Sequence, residues 1–339
     1  TLTGAITGPH ALFKVGAGTV VLSSANFYTL GTTIQEGTLT AGDAKALGDG
    51  VATIYRGATL NIADGKTLSL PGGLVFDPQL APGAGAGARG ALTGSGTAQY
   101  GDTVGVGGAI TLNTDAEVGG TGGTLTLTGA ITGVGGLYKV GAGTVALSSA
   151  NTYKGGTLIQ EGTLSAQNGQ ALNQGAVRIY RGATLEIADG VTLTLPNGGL
   201  VFDPQLAPGA GAGARGALTG TGTAQGGTGG VGGAITLEAD AEVGGTGGTL
   251  TLTGAITGPH ALFKVGAGTV VLSSANFYTL GTTIQEGTLT AGDAKALGDG
   301  VATIYRGATL NIADGKTLSL PGGLVFDPQL APGAGAGAR

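Results

Sequence analysis

The 339-residue chain contains no cysteine, no methionine and no tryptophan. No disulfide can staple it, no thiolate can hold a metal or attack a substrate, and no thioether is there to oxidise. Histidine occurs only at positions 10 and 260. Charged residues make up 10% of the chain, with a net charge of −5. The lysines and arginines are scattered, so no basic stripe can track a phosphate backbone, and nucleic acid is excluded as a partner. No apolar run approaches the roughly 18 residues a membrane helix needs, so no membrane insertion is expected in this segment, and no signal peptide opens it. Prolines number only 11, and the 74 glycines do not fall on every third position, which excludes a collagen helix. At 41% apolar the chain is also too hydrophobic for a charged disordered segment.

What is present is repetition. Residues 1–89 recur letter for letter as residues 251–339, and a diverged copy lies between them, with Thr1, Thr126 and Thr251 opening successive units. A fixed period overrides the usual count of two or three globular domains. The expected organisation is a tandem array of 125-residue units: 1–125, 126–250 (diverged) and a partial third unit, 251–339, read as a window onto a longer polymer.

Within a unit the short segments alternate apolar and polar residues, as in Thr124-Leu125-Thr126-Leu127-Thr128, Thr59-Leu60-Asn61-Ile62 and Ala109-Ile110-Thr111-Leu112-Asn113. Each reads as a short strand with one buried face, separated by Gly, Asn, Asp and Pro turns, and no helical period of useful length occurs. The two forms of the unit test that assignment. Asn61, Ser69, Asn113 and Val21 are replaced by Glu186, Thr194, Glu238 and Ala146, while Leu60, Ile62, Leu68, Leu70, Ile110 and Leu112 keep their identity. Thr33 to Leu158 fits less well, putting a leucine on an outward face. Apolar anchors near Leu2, Leu22, Leu39, Leu60, Leu74, Leu92, Leu112 and Leu127 are spaced on the scale of a β-solenoid coil. The spacing predicts an all-β fold with about six or seven rungs per unit, each unit advancing roughly 29–34 Å at the ~4.8 Å strand spacing, and the array a rod.

The stretch Leu12-Phe13-Lys14-Val15-Gly16-Ala17-Gly18-Thr19-Val20-Val21-Leu22-Ser23, running on through Asn26-Phe27-Tyr28 to Glu36-Gly37-Thr38-Leu39, resembles the autotransporter-associated β-strand repeat. Its counterpart from Leu137-Tyr138-Lys139-Val140-Gly141-Ala142-Gly143-Thr144 through Asn151-Thr152-Tyr153 to Glu161-Gly162-Thr163-Leu164 is closer still. The resemblance implies a right-handed parallel β-helix at the bacterial surface, part of a passenger, adhesin or large secreted repeat protein, with no catalytic residues.

Each candidate site has a plain structural reading beside it. Gly16-Ala17-Gly18, Gly122-Gly123 and Gly229-Gly230 are tight corners, since no helix follows to cradle a phosphate. His10 and His260 are exposed turn residues, and the middle copy has Gly135 in their place. Glu36 and Glu161 lack the partner a glycosidase needs. Asp43, Asp49, Asp64, Asp77 and Asp102 are too dispersed for a calcium cage. Lys14, Lys139 and Lys264 would lay their stems on apolar surface, and Asn26 with its equivalents would satisfy turn backbone. Neither catalytic residues, cofactor nor metal are expected. The segment from Gly72 to Arg89 is different in kind, because it returns unchanged in the middle copy from Gly198 to Arg215. One reading is a Pro-delimited rung of small residues packed against neighbouring backbone. The other is an inter-chain contact built on Phe76, Asp77, Pro78, Pro82, Gly83, Ala84, Gly85 and Arg89, with Phe202, Asp203 and Arg215 in the middle copy.

The function expected first is a structural segment of an extracellular bacterial fibre, a sheath, stalk, matrix or appendage, in which the copies self-associate or continue. The alternative is an autotransporter passenger or adhesin stalk that holds a binding tip at the cell surface. A surface polysaccharide or host surface stands as a further partner, and no enzymatic role is expected.

Overall fold

The computed structural model describes residues 1–330 apart from Ala86, 100–108, Thr121, Asn173, 226–232 and Thr246. The candidate residues Asp102, Gly229 and Gly230, and the third copy's Gly/Ala stretch, lie outside the described set. Among the described residues every regular element is a strand, and the pairings between them are parallel. The chain divides into two compact units, Thr1–Leu158 with Gly162–Leu164, and Ile159–Glu161 with Ser165–Arg339. That division does not fall at the boundaries of the sequence copies.

Both units are parallel β-solenoids whose coil has three sides. In the first unit, Leu12–Lys14, Thr32–Ile34, Ala52–Arg56, Leu74–Leu80, Ile110–Leu112 and Ile131–Gly133 stack as one side. Thr19–Leu22, Thr38–Ala41, Thr59–Ile62, Gly90–Gly94, Ala116–Gly119 and Leu137–Val140 stack as the next. The third side runs from Thr7–Gly8 and Phe27–Tyr28, through residues 43–49, which hydrogen-bond to both Asn26 and Tyr28, to Thr67–Ser69, Thr97–Gln99, Thr124–Leu127 and Thr144–Leu147.

This stacking corrects the expected rung count. The middle copy's Ile131–Gly133 is the counterpart of Thr7–Gly8, yet it lies on the side of Leu12–Lys14. Among the described residues fifteen strands and the segment at 43–49 precede it, so one copy spans sixteen sides of a three-sided coil, or five and a third turns rather than six or seven. The advance per copy is then about 26 Å. The second unit shows the same shift independently, because Ala302–Arg306, the counterpart of Val177–Arg181, stacks with Thr184–Ile187, Gly216–Gly220 and their successors. Each copy therefore carries its side chains one side further round the coil than the copy before.

The core is the inward face of the alternating strands. Leu60, Ile62, Leu68, Leu70, Leu112 and their counterparts Leu185, Ile187, Leu193 and Leu237 are buried, as the alternation requires. Asn61 and Glu186 are half-buried on the outer face, and so are Thr33 and Leu158. Ala146 departs from the expected outward place of Val21, because it is buried.

Glycine sets the corners where one coil lies on the next. Gly31 has φ +86, and a Cβ on it would meet the Val51 carbonyl oxygen at 2.2 Å. Both the dihedral and the space forbid a side chain there. Gly31→Ala is expected to cost about 2 kcal/mol or more, read as a lowered denaturation midpoint. An unchanged midpoint would show that the corner can relax.

Candidate functional site

The repeat resembling the autotransporter motif builds a polar interior rather than a surface. Lys264 is fully buried, and its Nζ donates to the carbonyls of Val265 at 2.9 Å, Gly266 at 2.5 Å and Glu286 at 2.8 Å. Lys14 makes the same three bonds to Val15, Gly16 and Glu36. Lys139 donates to Val140 and Gly141. The ammonium thus ties the strand's own corner to the next coil, and the expectation of a stem lying on apolar surface is corrected. Gly16 N–H also donates to the Glu36 carboxylate at 3.1 Å, so this glutamate closes the same corner.

Asparagine does parallel work two sides further on. Asn276 Oδ1 accepts from Ile256 N–H at 2.8 Å, and its Nδ2 donates to the Ala296 carbonyl at 2.6 Å. Asn26 joins Ile6 and Ala46 in the same way. The partners lie 20 residues before and after, one coil on each side, so one amide links three coils. Beside it, the Tyr28 hydroxyl meets Thr32 Oγ1 at 2.5 Å, and Tyr153 and Tyr278 meet Thr157 and Thr282. These groups are buried, which is why they must be paired.

Burial moves their titration. The Tyr153 phenol is pushed up to about 12, and those of Tyr28 and Tyr278 are also raised by burial, against a smaller opposing effect of the threonine hydrogen bonds. Burial lowers the Lys264 ammonium to about 8, with Glu286 opposing. The signs differ. An unfolded lysine keeps its proton up to its ordinary range while the native one releases it, so stability should rise with pH from about 8. Above pH ~10 the unfolded tyrosines ionise while the native ones stay protonated, and stability should fall. Urea midpoints measured across this range are expected to peak near pH 10. A midpoint unchanged above pH 10 would show the phenols to be solvated.

The Gly72 to Arg89 segment is folded onto the coil before it. The strand Leu74–Leu80 bulges between Asp77 and Leu80, where Asp77 Oδ1 accepts from Gln79 N–H at 2.8 Å. The loop after it is held on Arg56 and Gly57: Ala81 N–H donates to the Arg56 carbonyl, Arg56 Nε to the Ala88 carbonyl, and Gly57 N–H to the Arg89 carbonyl. A Cβ on Gly57 would meet the Ala84 Cβ at 2.6 Å, so the loop needs glycine beneath it. Pro78, Pro82, Gly83 and Gly85 face outward, with Ala84 half-buried. Phe76 and Phe202 are corrected as contact residues, because alternation turns them into the core, where they are 0% and 1% exposed. Arg89 and Arg215 are engaged along the solenoid, with side chains of the two coils that follow. Arg89 stacks 3.7 Å from the Tyr138 ring and pairs with Glu117 at 3.1 Å, and Arg215 does the same with Phe263 and Glu242. Asp203 is buried and bonded to Arg178, which also reaches Glu238.

That last trio belongs to the middle copy alone. Thr53 and Asn113 stand where Arg178 and Glu238 do, so two separate substitutions meet as neighbours across one side of the coil. His260 lies 3.5 Å from Asp240. Two shallow grooves occupy equivalent places, one of ≈ 410 Å³ beside Asn61, Asp64 and Thr93, the other of ≈ 590 Å³ beside Glu186, Asp189 and Thr219. Their carboxylates are partly satisfied internally, by Ser95 on Asp64 and Thr221 on Asp189. Among the described residues no three His, Cys, Asp or Glu side chains converge as metal ligands would.

Comparison with known proteins agrees with this architecture. The passenger-associated-transport-repeat matches residues 12–41, 137–166 and 262–291, the segments that carry the buried lysine, asparagine and tyrosine. Over 165 residues, 48% of this chain, it is 36% identical to the adhesin BmaC autotransporter of Brucella suis biovar 1 (strain 1330). The matched part spans 4% of that protein's length. No solved structure matches. The similarity makes this a secreted, cell-surface protein. Three segments of this parallel solenoid, those whose buried side chains tie its coils together, thus belong to the autotransporter-associated repeat family.

Proposed function

We propose that the chain is a non-catalytic stretch of an autotransporter passenger, a stalk that carries an adhesive region away from the cell. The observation that carries the reading is the coincidence of the three matched segments with the buried polar ties between coils. What the copies share is the means of adding coils. The fibre reading favoured by repetition alone gives way to this one, because the similarity is to a surface adhesin. Self-association through the outward Gly/Ala loops and contact with a surface polysaccharide are not needed for a stalk.

The test displays the chain on a bacterial surface with a separate binding tag at its outer end, and adds one or two further copies of residues 126–250. Tag reach should rise by about 26 Å per copy, while the untagged chain should leave target cells unattached. Attachment by the untagged chain would make it the adhesive part and sink the stalk reading. Assembly of the purified chain into long filaments would restore the fibre.

A further inference from the structure

The outer surface holds an apolar patch that the first and third copies share and the middle copy lacks. Phe27 is 48% exposed, Leu30 66% and Val51 43%, and the third copy's Phe277, Leu280 and Val301 are exposed at 48%, 62% and 42%. Within each compact unit the three side chains sit on two stacked coils. Asp49 N–H donates to the Tyr28 carbonyl and Thr32 N–H to the Val51 carbonyl, and the same bonds join Asp299 to Tyr278 and Thr282 to Val301. Lys45 reaches over the Phe27 ring at 5.7 Å, and Lys295 over Phe277 at 5.6 Å. Asp43, whose carboxylate accepts from the Lys45 N–H at 2.9 Å, and Asp49, bonded through its own N–H to Tyr28, bring both signs of charge beside the patch.

In the middle copy the positions of Phe27, Leu30 and Val51 hold Thr152, Gly155 and Ala176, and those of Asp43, Lys45 and Asp49 hold Asn168, Gln170 and Gln174. The residues beneath do not change: Asn26, Tyr28, Ala46 and Leu47 persist as Asn151, Tyr153, Ala171 and Leu172, all buried. The fold therefore tolerates either surface over the same interior. Three apolar side chains and three charges are absent together where packing demands neither. Thr29 becomes Lys154, leaving the middle surface a cation without the patch's two carboxylates.

We propose that this patch is a docking surface for a second copy of the chain, patch against patch. Its charge pattern selects that occupant. One lysine and two carboxylates beside a single patch are self-complementary, so two patches facing each other set each lysine against the other's carboxylates while the apolar side chains meet between them. Two middle-copy surfaces would bring only lysines together. A patch of three apolar residues falls below the roughly 1,200 Å² of a stable interface, so the pairing is weak and reversible. This proposal does not depend on the stalk reading.

The test is sedimentation equilibrium of the intact 339-residue chain against two variants. The first carries the middle copy's residues in both patches: Phe27→Thr, Leu30→Gly and Val51→Ala with Phe277→Thr, Leu280→Gly and Val301→Ala. Because the fold already holds those residues on the same interior, its circular dichroism should match the parent. The second is Lys45→Glu with Lys295→Glu, which keeps the apolar residues and removes the charge match. The parent should dimerise with concentration, and each variant should dissociate at least tenfold more readily. A parent that stays monomeric at its highest soluble concentration would overturn the proposal, as would a first variant that dimerises equally well. So would patch variants that lose attachment to target cells while their self-association is unchanged, since the partner would then be another molecule.

Discussion

Phe202→Ala is expected to lower the unfolding free energy by about 3–5 kcal/mol, the cost of an unfilled cavity where a buried ring has been removed. Phe202 lies between Ile179 and Leu237 in register, with neighbours on both adjoining coils. Its ring also closes on Gly216, where an added Cβ would sit 3.0 Å from the Cδ1 atom. The glycine and the phenylalanine fill one space, so alanine at 202 cannot be compensated from below. Denaturant unfolding of the variant beside the parent, followed by circular dichroism, checks the loss. A cost below about 1 kcal/mol, that of a surface substitution, would mean that burial in the coil is not what holds this strand.

The same residue shows what could be read from sequence and what could not. Alternation is local, so Leu60, Ile62, Leu112 and their counterparts could be placed inward from a few neighbouring letters. The number of coils could not, because each of the three sides uses the same two-residue period. Leu74 and Leu92 look like anchors of successive rungs, but they lie on two sides of one coil. Counting anchors therefore overcounts turns. The Gly- and Pro-rich surroundings of Phe76 and Phe202 suggest the surface, although their position in the alternation points inward, where both are buried.

The polar interior was the least legible part. Lysine, asparagine and tyrosine are ordinarily placed at surfaces and turns, and nothing in their local pattern marks them as buried. The signal lay in the comparison between copies. Lys14, Asn26, Tyr28 and Thr32 keep their identity at 139, 151, 153 and 157, whereas the intervening Phe27 becomes Thr152. Constancy beside an outward neighbour that changes is what an interior polar tie produces. The outer patch is the converse, a set of changes confined to side chains that the fold does not use.

Asn276 separates a tie of this kind from simple packing. Asn276→Ala should remove about 2–4 kcal/mol, because both the Ile256 N–H and the Ala296 carbonyl lose a buried partner. Asn276→Asp distinguishes the two halves of that loss. A carboxylate still accepts from Ile256 N–H, but it turns a negative charge toward the Ala296 oxygen at a site 1% exposed. At neutral pH the variant should be at least as unstable as alanine. Protonation lets the acid donate where the amide did, so its native carboxyl is held above the ordinary range of about 4. A native state that binds the proton more tightly than the unfolded chain gains stability as pH falls through that raised value. The gap between Asn276→Asp and the parent should therefore narrow toward pH 4, while the gap for Asn276→Ala should not. If both gaps stay constant, the side chain fills volume and the three-coil hydrogen bond contributes little. If only the aspartate recovers, the amide's donation to the next coil is what the repeated asparagine supplies.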